Sequence, residues 1–323
     1  MPKDIPKKPD GANGDHRNQE GDTKKEGLSL LDPRVLARVG PLQLKARQVV
    51  EGVLSGLHKS PHHGQSIEFA EHKEYSPGDE IRHIDWKAYG KFDKYYVKQF
   101  EHETNLRAWI VIDASRSMAY GSEGVPKLEY AKVLGASLAY LLVQQGDAVG
   151  VLVYGAGTRS FLPVRSSGGH LHEVLSTLES IKAEGPTDLG AALDFLAERS
   201  PRRAMVLLLT DLLDPEAQPV AQIRRLRARR HDVSVFHLMD RAELEFPFED
   251  PTLFLGMEDE RQLPVHPLEI RVSYLNVVGS FLEETRASLT ESDIDYRHTV
   301  TDTPYDRVLI DFLGRRSRPA RSV

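Results

Sequence analysis

From Leu106 onward, apolar and polar positions follow two rhythms. Short continuous apolar runs at Leu106–Ile112, Ala148–Tyr154, Ala204–Leu209 and Val233–Met239 predict buried strands. Between them, apolar residues recur three and four positions apart, which predicts helices. The clearest is Pro126–Gln145, where Leu128, Ala131, Leu134, Leu138, Leu141 and Leu142 share one face. Pro126 suits its first turn and Gly146 its C-terminal cap. Further helices are expected over His170–Ile181, Asp188–Arg199, Glu216–Arg230, Pro267 to about Leu289, and Pro304–Arg315. Thr158–Pro163 reads as the return strand of a hairpin turning at Gly155-Ala156-Gly157. Residues 252–265 read as another hairpin and Ile294–Val300 as a last strand. Continuous apolar strands separated by amphipathic helices predict an α/β fold, a mainly parallel sheet flanked by helices.

The chain before Leu106 is different. Residues 1–27 hold no aromatic side chain, and Ile5 and Thr23 are their β-branched residues. Such a stretch buries too little surface to offset its ordering entropy, so a disordered tail is expected. From Leu28 a helical pattern begins, with Pro33 near a helix start and Leu36, Val39, Leu42 and Leu44 apolar. A second helix is expected over Leu42–Leu57. Over residues 64–105, Ile67 and Phe69 alternate with polar neighbours, Ser76-Pro77-Gly78-Asp79 signals a turn, and Ile81, Ile84, Trp86 and Tyr95–Val97 follow. We therefore expect a tail (1–27), an extension of helices and short strands packed on the main domain (28–105), the main domain (106–315) and a basic tail (316–323).

Composition narrows the function classes. With 323 residues and 40% hydrophobic content the chain can bury a real core. It has no cysteine, which excludes disulfides, thiolate catalysis and zinc–thiolate sites. A net charge of −6 gives no global attraction to nucleic acid. Arg224, Arg225, Arg227, Arg229 and Arg230 end a helix without interleaved aromatics, which reads as a solvated face favoured by the helix dipole. No apolar run approaches the ~18 residues needed to span a bilayer. Residues 1–27 lack the apolar stretch of a signal peptide. No membrane insertion and a cytoplasmic location are the expectation. His62-His63 and His170-x-His172 lack a third ligand, and Gly155-x-Gly157 lacks the third glycine of a dinucleotide loop.

The candidate chemistry lies at strand ends. In an open α/β sheet, ligands bind beyond the carboxyl ends of the strands. Asp113 closes the strand at Leu106–Ile112, with Ser115 and Ser117 at alternate positions after it. Asp211 closes the strand at Ala204–Leu209. Between them in sequence, Glu184-Gly185-Pro186-Thr187-Asp188 opens a helix. Asp113, Ser115, Ser117, Thr187 and Asp211 thus offer hard oxygens, suited to Mg²⁺ or Mn²⁺. They do not enclose a dication, so water or a partner's carboxylate would complete the shell. The bland reading is that the serines only cap the loop and Thr187 and Asp188 only cap their helix.

Asp113-Ala114-Ser115-Arg116-Ser117 resembles the Asp-x-Ser-x-Ser motif of the von Willebrand factor A fold, a Rossmann-like architecture with a metal-ion-dependent adhesion site. Thr187, in Gly-Pro-Thr-Asp, and Asp211, in Leu-Leu-Thr-Asp, resemble that fold's second and third motifs. The resemblance implies that Asp113, Ser115 and Ser117 form the first ligand loop. It implies that Thr187 and Asp211 complete the set, directly or through water. Pro186 stands where glycine is common, which stiffens the loop and removes no ligand. The stretch from Glu68-Phe69 through Pro77-Gly78-Asp79 to Ile84-Asp85-Trp86-Lys87, with Val97-Lys98-Gln99-Phe100-Glu101, resembles the bacterial family known as domain of unknown function fifty-eight. Its members are often encoded beside MoxR-type AAA+ ATPases.

The expectation is a non-enzymatic, metal-dependent protein-binding module. It would act with a MoxR-type ATPase, or that ATPase's client, through an acidic side chain of the partner, in assembly, maturation or stress response. Two alternatives stand beside it. One is metal-dependent phosphoryl transfer through Asp113, although Ser115 sits where a second carboxylate is usual. The other is a scaffold with a vestigial site. Asp79, Arg82, Asp85 and Lys87 are weaker candidates for a partner surface, against a bland reading as edge-strand charges.

Overall fold

The computed structural model describes residues 31–37, 40–59, 73–74, 96–97, 106–122, 124–200, 203–213, 219–257 and 261–316. The expected tail at 1–27 and all of the tail expected at 316–323 except Arg316, which ends the last helix, lie outside these residues, as do Asp79, Arg82, Asp85, Lys87 and His62-His63.

The elements run α1 (Pro33–Leu36), α2 (Leu42–Lys59), β1 (Lys73–Glu74), β2 (Tyr96–Val97), β3 (Arg107–Asp113), a 3₁₀ turn (Arg116–Ala119) and α3 (Lys127–Gln144). There follow β4 (Ala148–Gly155), β5 (Gly157–Arg165), α4 (His170–Ser180), α5 (Leu189–Arg199), β6 (Met205–Thr210), α6 (Pro219–Ala228) and β7 (Asp232–Met239). The chain closes with α7 (Arg241–Glu245), β8 (Thr252–Leu255), β9 (Gln262–Val265), α8 (Pro267–Glu291), β10 (Asp295–Val300) and α9 (Tyr305–Arg316).

Six strands form the central sheet in the order β10-β7-β6-β3-β4-β5. Every pair is parallel except β4 with β5, which return on each other through the glycine hairpin. Read outward from the centre, this is the expected Rossmann-like, von Willebrand factor A-like order, with the order of connection reversing between the parallel strands β3 and β6. A crevice at the carboxyl ends of β3 and β6 is therefore where the topology places a ligand. Two small antiparallel pairs, β1 with β2 and β8 with β9, stand apart from the sheet.

The central strand divides its side chains between two cores. Ala108, Ile110 and Ile112 enter the layer built with α2, α3, α4 and α9. Trp109 and Val111 enter the layer built with α5, α6 and the end of α8. Burial on both faces explains why β3 reads as an unbroken apolar run rather than an alternating one. Its Trp109 indole N–H donates to Ser200 Oγ at 3.1 Å, so the one polar atom of that ring is satisfied. From the N-terminal extension, Leu36, Leu42, Ala46, Val49 and Val53 join the first core.

Helix ends follow the sequence signals. Pro126 sits immediately before the first turn of α3, and Gly146 takes a φ of 81° just past its end. In that left-handed conformation the Gly146 and Asp147 N–H groups reach back to Val143 and Leu142. From Leu106 onward the expected helices and strands are present, with ends shifted by a residue or two. The start expected at Glu216, the helical pattern from Leu28 to Leu30, the strand expected around Ile67 and Phe69 and the turn at Ser76–Asp79 fall outside the described residues. The short helix α7 is an addition to the sequence reading.

Candidate metal-binding site at the carboxyl edge of the sheet

Asp113 is the last residue of β3 and is only 1% exposed. A buried carboxylate must be surrounded by donors, and it is. Its Oδ1 accepts the Ser115 N–H at 2.9 Å. Its Oδ2 accepts hydroxyls from Tyr154 at 3.0 Å, Thr210 at 2.9 Å and Thr187 at 3.4 Å. Tyr154 is the penultimate residue of the neighbouring strand β4 and Thr210 ends β6, so three adjacent strand ends converge on this group. Ser115 and Ser117 are buried, with their hydroxyl oxygens 3.0 Å apart. Arg116 between them faces solvent, as alternation predicts.

The second ligand loop is tied to the first by backbone bonds. Glu184 N–H donates to Ala114 O at 2.9 Å, and Arg116 N–H donates to Gly185 O at 2.8 Å. Gly185 has a φ of 58°, a left-handed conformation that favours glycine, and this turn carries Thr187 back over Asp113. The Arg159 guanidinium locks both loops, donating to Ala114 O at 2.9 Å, to Lys182 O at 3.2 Å, and to Glu184 O. It lies across Gly155, where a Cβ would meet the Arg159 Nε at 2.5 Å. Asp188 caps α5, accepting the Ala191 N–H at 2.9 Å. Thr187 and Asp188 thus divide the two roles, one facing Asp113 and the other capping.

Asp211 lies beside the other candidates, with the Ser117 hydroxyl supporting its carboxylate and its charge felt by Asp113. Its carboxylate, 1% exposed, is held by Lys127, whose Nζ is 2.9 Å from Oδ2. The other oxygen accepts the Leu213 N–H at 3.2 Å. Lys127 is the first residue of α3 and its side chain is fully buried. Its ammonium also meets Glu243 Oε1 at 2.7 Å. Glu243 lies in α7, where its second oxygen accepts the Asp240 N–H at 2.7 Å and completes a capping box.

These neighbours fix the charges. Burial, and then the adjacent Asp211 charge, push Asp113 up to about 6. Burial alone would also raise Asp211, but Lys127 overrides it and holds that carboxyl below the usual range. Burial would lower Lys127, yet Asp211 and Glu243 together raise it above the ordinary lysine value. Three carboxylates and one ammonium leave the cluster with two negative charges.

The structure brings Asp113, Ser115, Ser117 and Thr187 together, with Asp211 next to Ser117 and paired on its other side with Lys127. Among the described residues no cluster of three or more His, Cys, Asp or Glu side chains is present, so a metal here would draw on hydroxyl oxygens. One carboxylate with three hydroxyls, plus water or an incoming carboxylate, is a donor set for a hard, small dication. The residual double negative charge fits the same conclusion. Sequence reasoning missed Tyr154, Thr210, Lys127, Arg159 and Glu243. Only Glu243 carried a local signal, since Asp240-x-x-Glu243 has capping-box spacing.

Comparison with known proteins gives the family. An uncharacterized protein of Mycobacterium tuberculosis is 29% identical over 222 residues, covering 67% of this chain and 68% of that one. Among solved structures, BatB of Bacteroides thetaiotaomicron has a TM-score of 0.45 at 17% identity, covering 66% of this chain and 100% of that one. The SpRpn10 VWA domain has a TM-score of 0.39 at 10% identity, covering 64% of this chain and 94% of that one. The fold itself rests on the strand order described above. No helix among the described residues is long and apolar enough to cross a membrane. The family described as "Protein of unknown function DUF58" matches residues 71–279, and the chain belongs to it.

Proposed function

We propose that this protein is a non-enzymatic, metal-dependent protein-binding module. Mg²⁺ or Mn²⁺ would be held by Asp113, Ser115, Ser117 and Thr187, with Asp211 acting from behind them. Bound there, the dication supplies a Lewis-acidic docking point for a partner's carboxylate. The chain's own residues orient and desolvate that point. One observation carries the reading: three hydroxyls and a buried carboxylate converge at the carboxyl edge of the sheet. By family resemblance the partner is a MoxR-type AAA+ ATPase or its client, and cytoplasmic action belongs to the same proposal. Phosphoryl transfer through Asp113 finds less support, because Ser115 fills the place of a second carboxylate and Arg116 faces solvent.

Calorimetric titration of Mg²⁺ and Mn²⁺ tests the metal. Wild type should give saturable heats, and Asp113→Ala should lose them while keeping its circular dichroism. Equal heats from both proteins would refute the site. Capture of a partner from cell extract with and without chelator then tests the docking role; capture indifferent to chelator would refute it.

A further inference from the structure

Lys127 is the one group in the cluster that a metal-binding loop does not obviously need. It is a fully buried ammonium beside the site of a dication, which electrostatics alone would disfavour. Its position is set by two carboxylates on different elements. Asp211, at the end of β6, holds it from one side at 2.9 Å, and Glu243, in α7, holds it from the other at 2.7 Å. Glu243 is itself fixed by the Asp240 N–H. Asp240 in turn accepts the Ser122 N–H at 3.0 Å, from the loop that leads into α3. The ammonium is therefore shared within a closed ring of elements and has no other place to go.

The geometry points to Lys127 as a built-in counter-ion that keeps Asp211 out of the inner coordination sphere, so that metal affinity is set by how Lys127 divides between Asp211 and Glu243. This rests on the metal-binding reading proposed above. With the ammonium in place, one Asp211 oxygen is occupied by a cation and the other takes the Leu213 N–H, while the Ser117 hydroxyl also supports the carboxylate. Direct donation then falls to Asp113 and the hydroxyls. Such a weakly charged inner shell leaves more Lewis acidity for an incoming carboxylate than a shell of two carboxylates would. Lys127 is a positioning residue here, acting through Asp211. Glu243 tunes it, since every bit of charge it attracts is released from Asp211.

The test is metal affinity in three variants, read by calorimetry and by the electron paramagnetic resonance signal of free Mn²⁺. Lys127→Met keeps the length and apolar stem while removing the charge. It should bind Mn²⁺ about tenfold more tightly than wild type or better, because Asp211 is freed and a repulsive charge is gone. Metal-free Lys127→Met should melt lower than wild type, with a larger rise on adding Mn²⁺. Lys127→Met/Asp211→Asn should return to about the wild-type affinity, an epistasis that a merely structural lysine would not produce. Should Lys127→Met fail to fold, Glu243→Gln carries the opposite sign. It leaves the ammonium wholly to Asp211 and should bind Mn²⁺ more weakly than wild type. Wild type that binds while Lys127→Met binds no more tightly, or Glu243→Gln that binds more tightly, would overturn the inference. Silence from wild type and every variant would overturn the metal reading beneath it. Silence from wild type with binding by Lys127→Met would support the counter-ion role and overturn native metal binding.

Discussion

The hydroxyl of Tyr154 offers the cleanest test of how Asp113 is held. Tyr154→Phe removes one O–H donor to a buried carboxylate and leaves the ring in its packed place beside Trp109's core. A hydrogen bond to a charged group contributes about 1.5–3 kcal/mol. Because Asp113 Oδ2 keeps the Thr210 hydroxyl at 2.9 Å, the lower part of that range applies, about 1.5–2 kcal/mol. For a domain of this size that is a fall in Tm of about 3–8 °C. The loss should depend on pH. In the metal-free wild type Asp113 is raised to about 6, so the folded state keeps a proton that the unfolded chain releases near 4. Asp113 therefore makes the metal-free protein lose stability as pH rises from about 4 to about 6. Removing the Tyr154 donor raises this carboxyl further and extends the window upward. The difference between variant and wild type should then be under about 1 kcal/mol at pH 5 and reach its full size at pH 8. Urea unfolding with chelator present, at both pH values, measures it. A penalty below about 0.5 kcal/mol at pH 8, or one equal at the two pH values, would refute this account of the Asp113 environment.

Two further predictions separate roles within the same edge. His237 is fully buried, with Nε2 donating to Asp211 O at 2.9 Å and Nδ1 accepting the Tyr296 hydroxyl at 2.7 Å. Burial, aided by His298, lowers it to about 3, so between about 6.5 and 3 the unfolded chain binds a proton that the folded one refuses. Stability is lost as pH falls through that window, and wild type should lose about 2 kcal/mol more than His237→Gln between pH 7 and 4.5 in urea unfolding. Matching slopes would show that the histidine is not held neutral. At the second loop, Asp188→Ala should cost about 1 kcal/mol through its lost cap on α5 while leaving Mn²⁺ affinity unchanged. Thr187→Ala should do the reverse, weakening Mn²⁺ about tenfold or more with little change in Tm. Similar affinities in the two variants would show that the neighbours do not divide the work.

Much of this was legible from local pattern. The α/β order follows from apolar runs such as Ala108–Ile112, which are continuous because both faces of β3 are buried. Asp113 was expected just beyond its strand but belongs to it, since it still pairs with Tyr154 in the ladder to β4. Asp113, Ser115, Ser117 and Thr187 were legible because a tight loop and a helix start leave marks within a few residues. Lys127 and Arg159 were not. Each reaches across the fold, Lys127 to Asp211 and Glu243, Arg159 to Ala114 and Glu184, and nothing beside them in sequence records those partners. Lys127 reads as an ordinary first-turn lysine until α3 is seen to bury it. Tyr154 and Thr210 lie at strand ends, where aromatic and β-branched residues are common for packing alone, so their hydroxyls gave no signal.

The groups around Asp113 also bear on what kind of work the site can do. A general base has to exchange a proton near working pH and reach a substrate. Tyr154 is pushed well above its ordinary value by burial and by Asp113, so it stays a donor. Lys127 is raised by its two carboxylates and stays charged. His237 is neutral, but both ring nitrogens are engaged inside the protein. Asp211 is held ionised by Lys127. That leaves Asp113 as the one carboxyl at the edge poised near neutrality, and a dication beside it would fix it as carboxylate. An edge whose titratable groups are each locked in one state suits holding charge in place more than moving protons. On the proposed reading that favours docking over turnover, and it makes Lys127, which would decide how much negative charge a bound metal meets, the natural point at which to tune it.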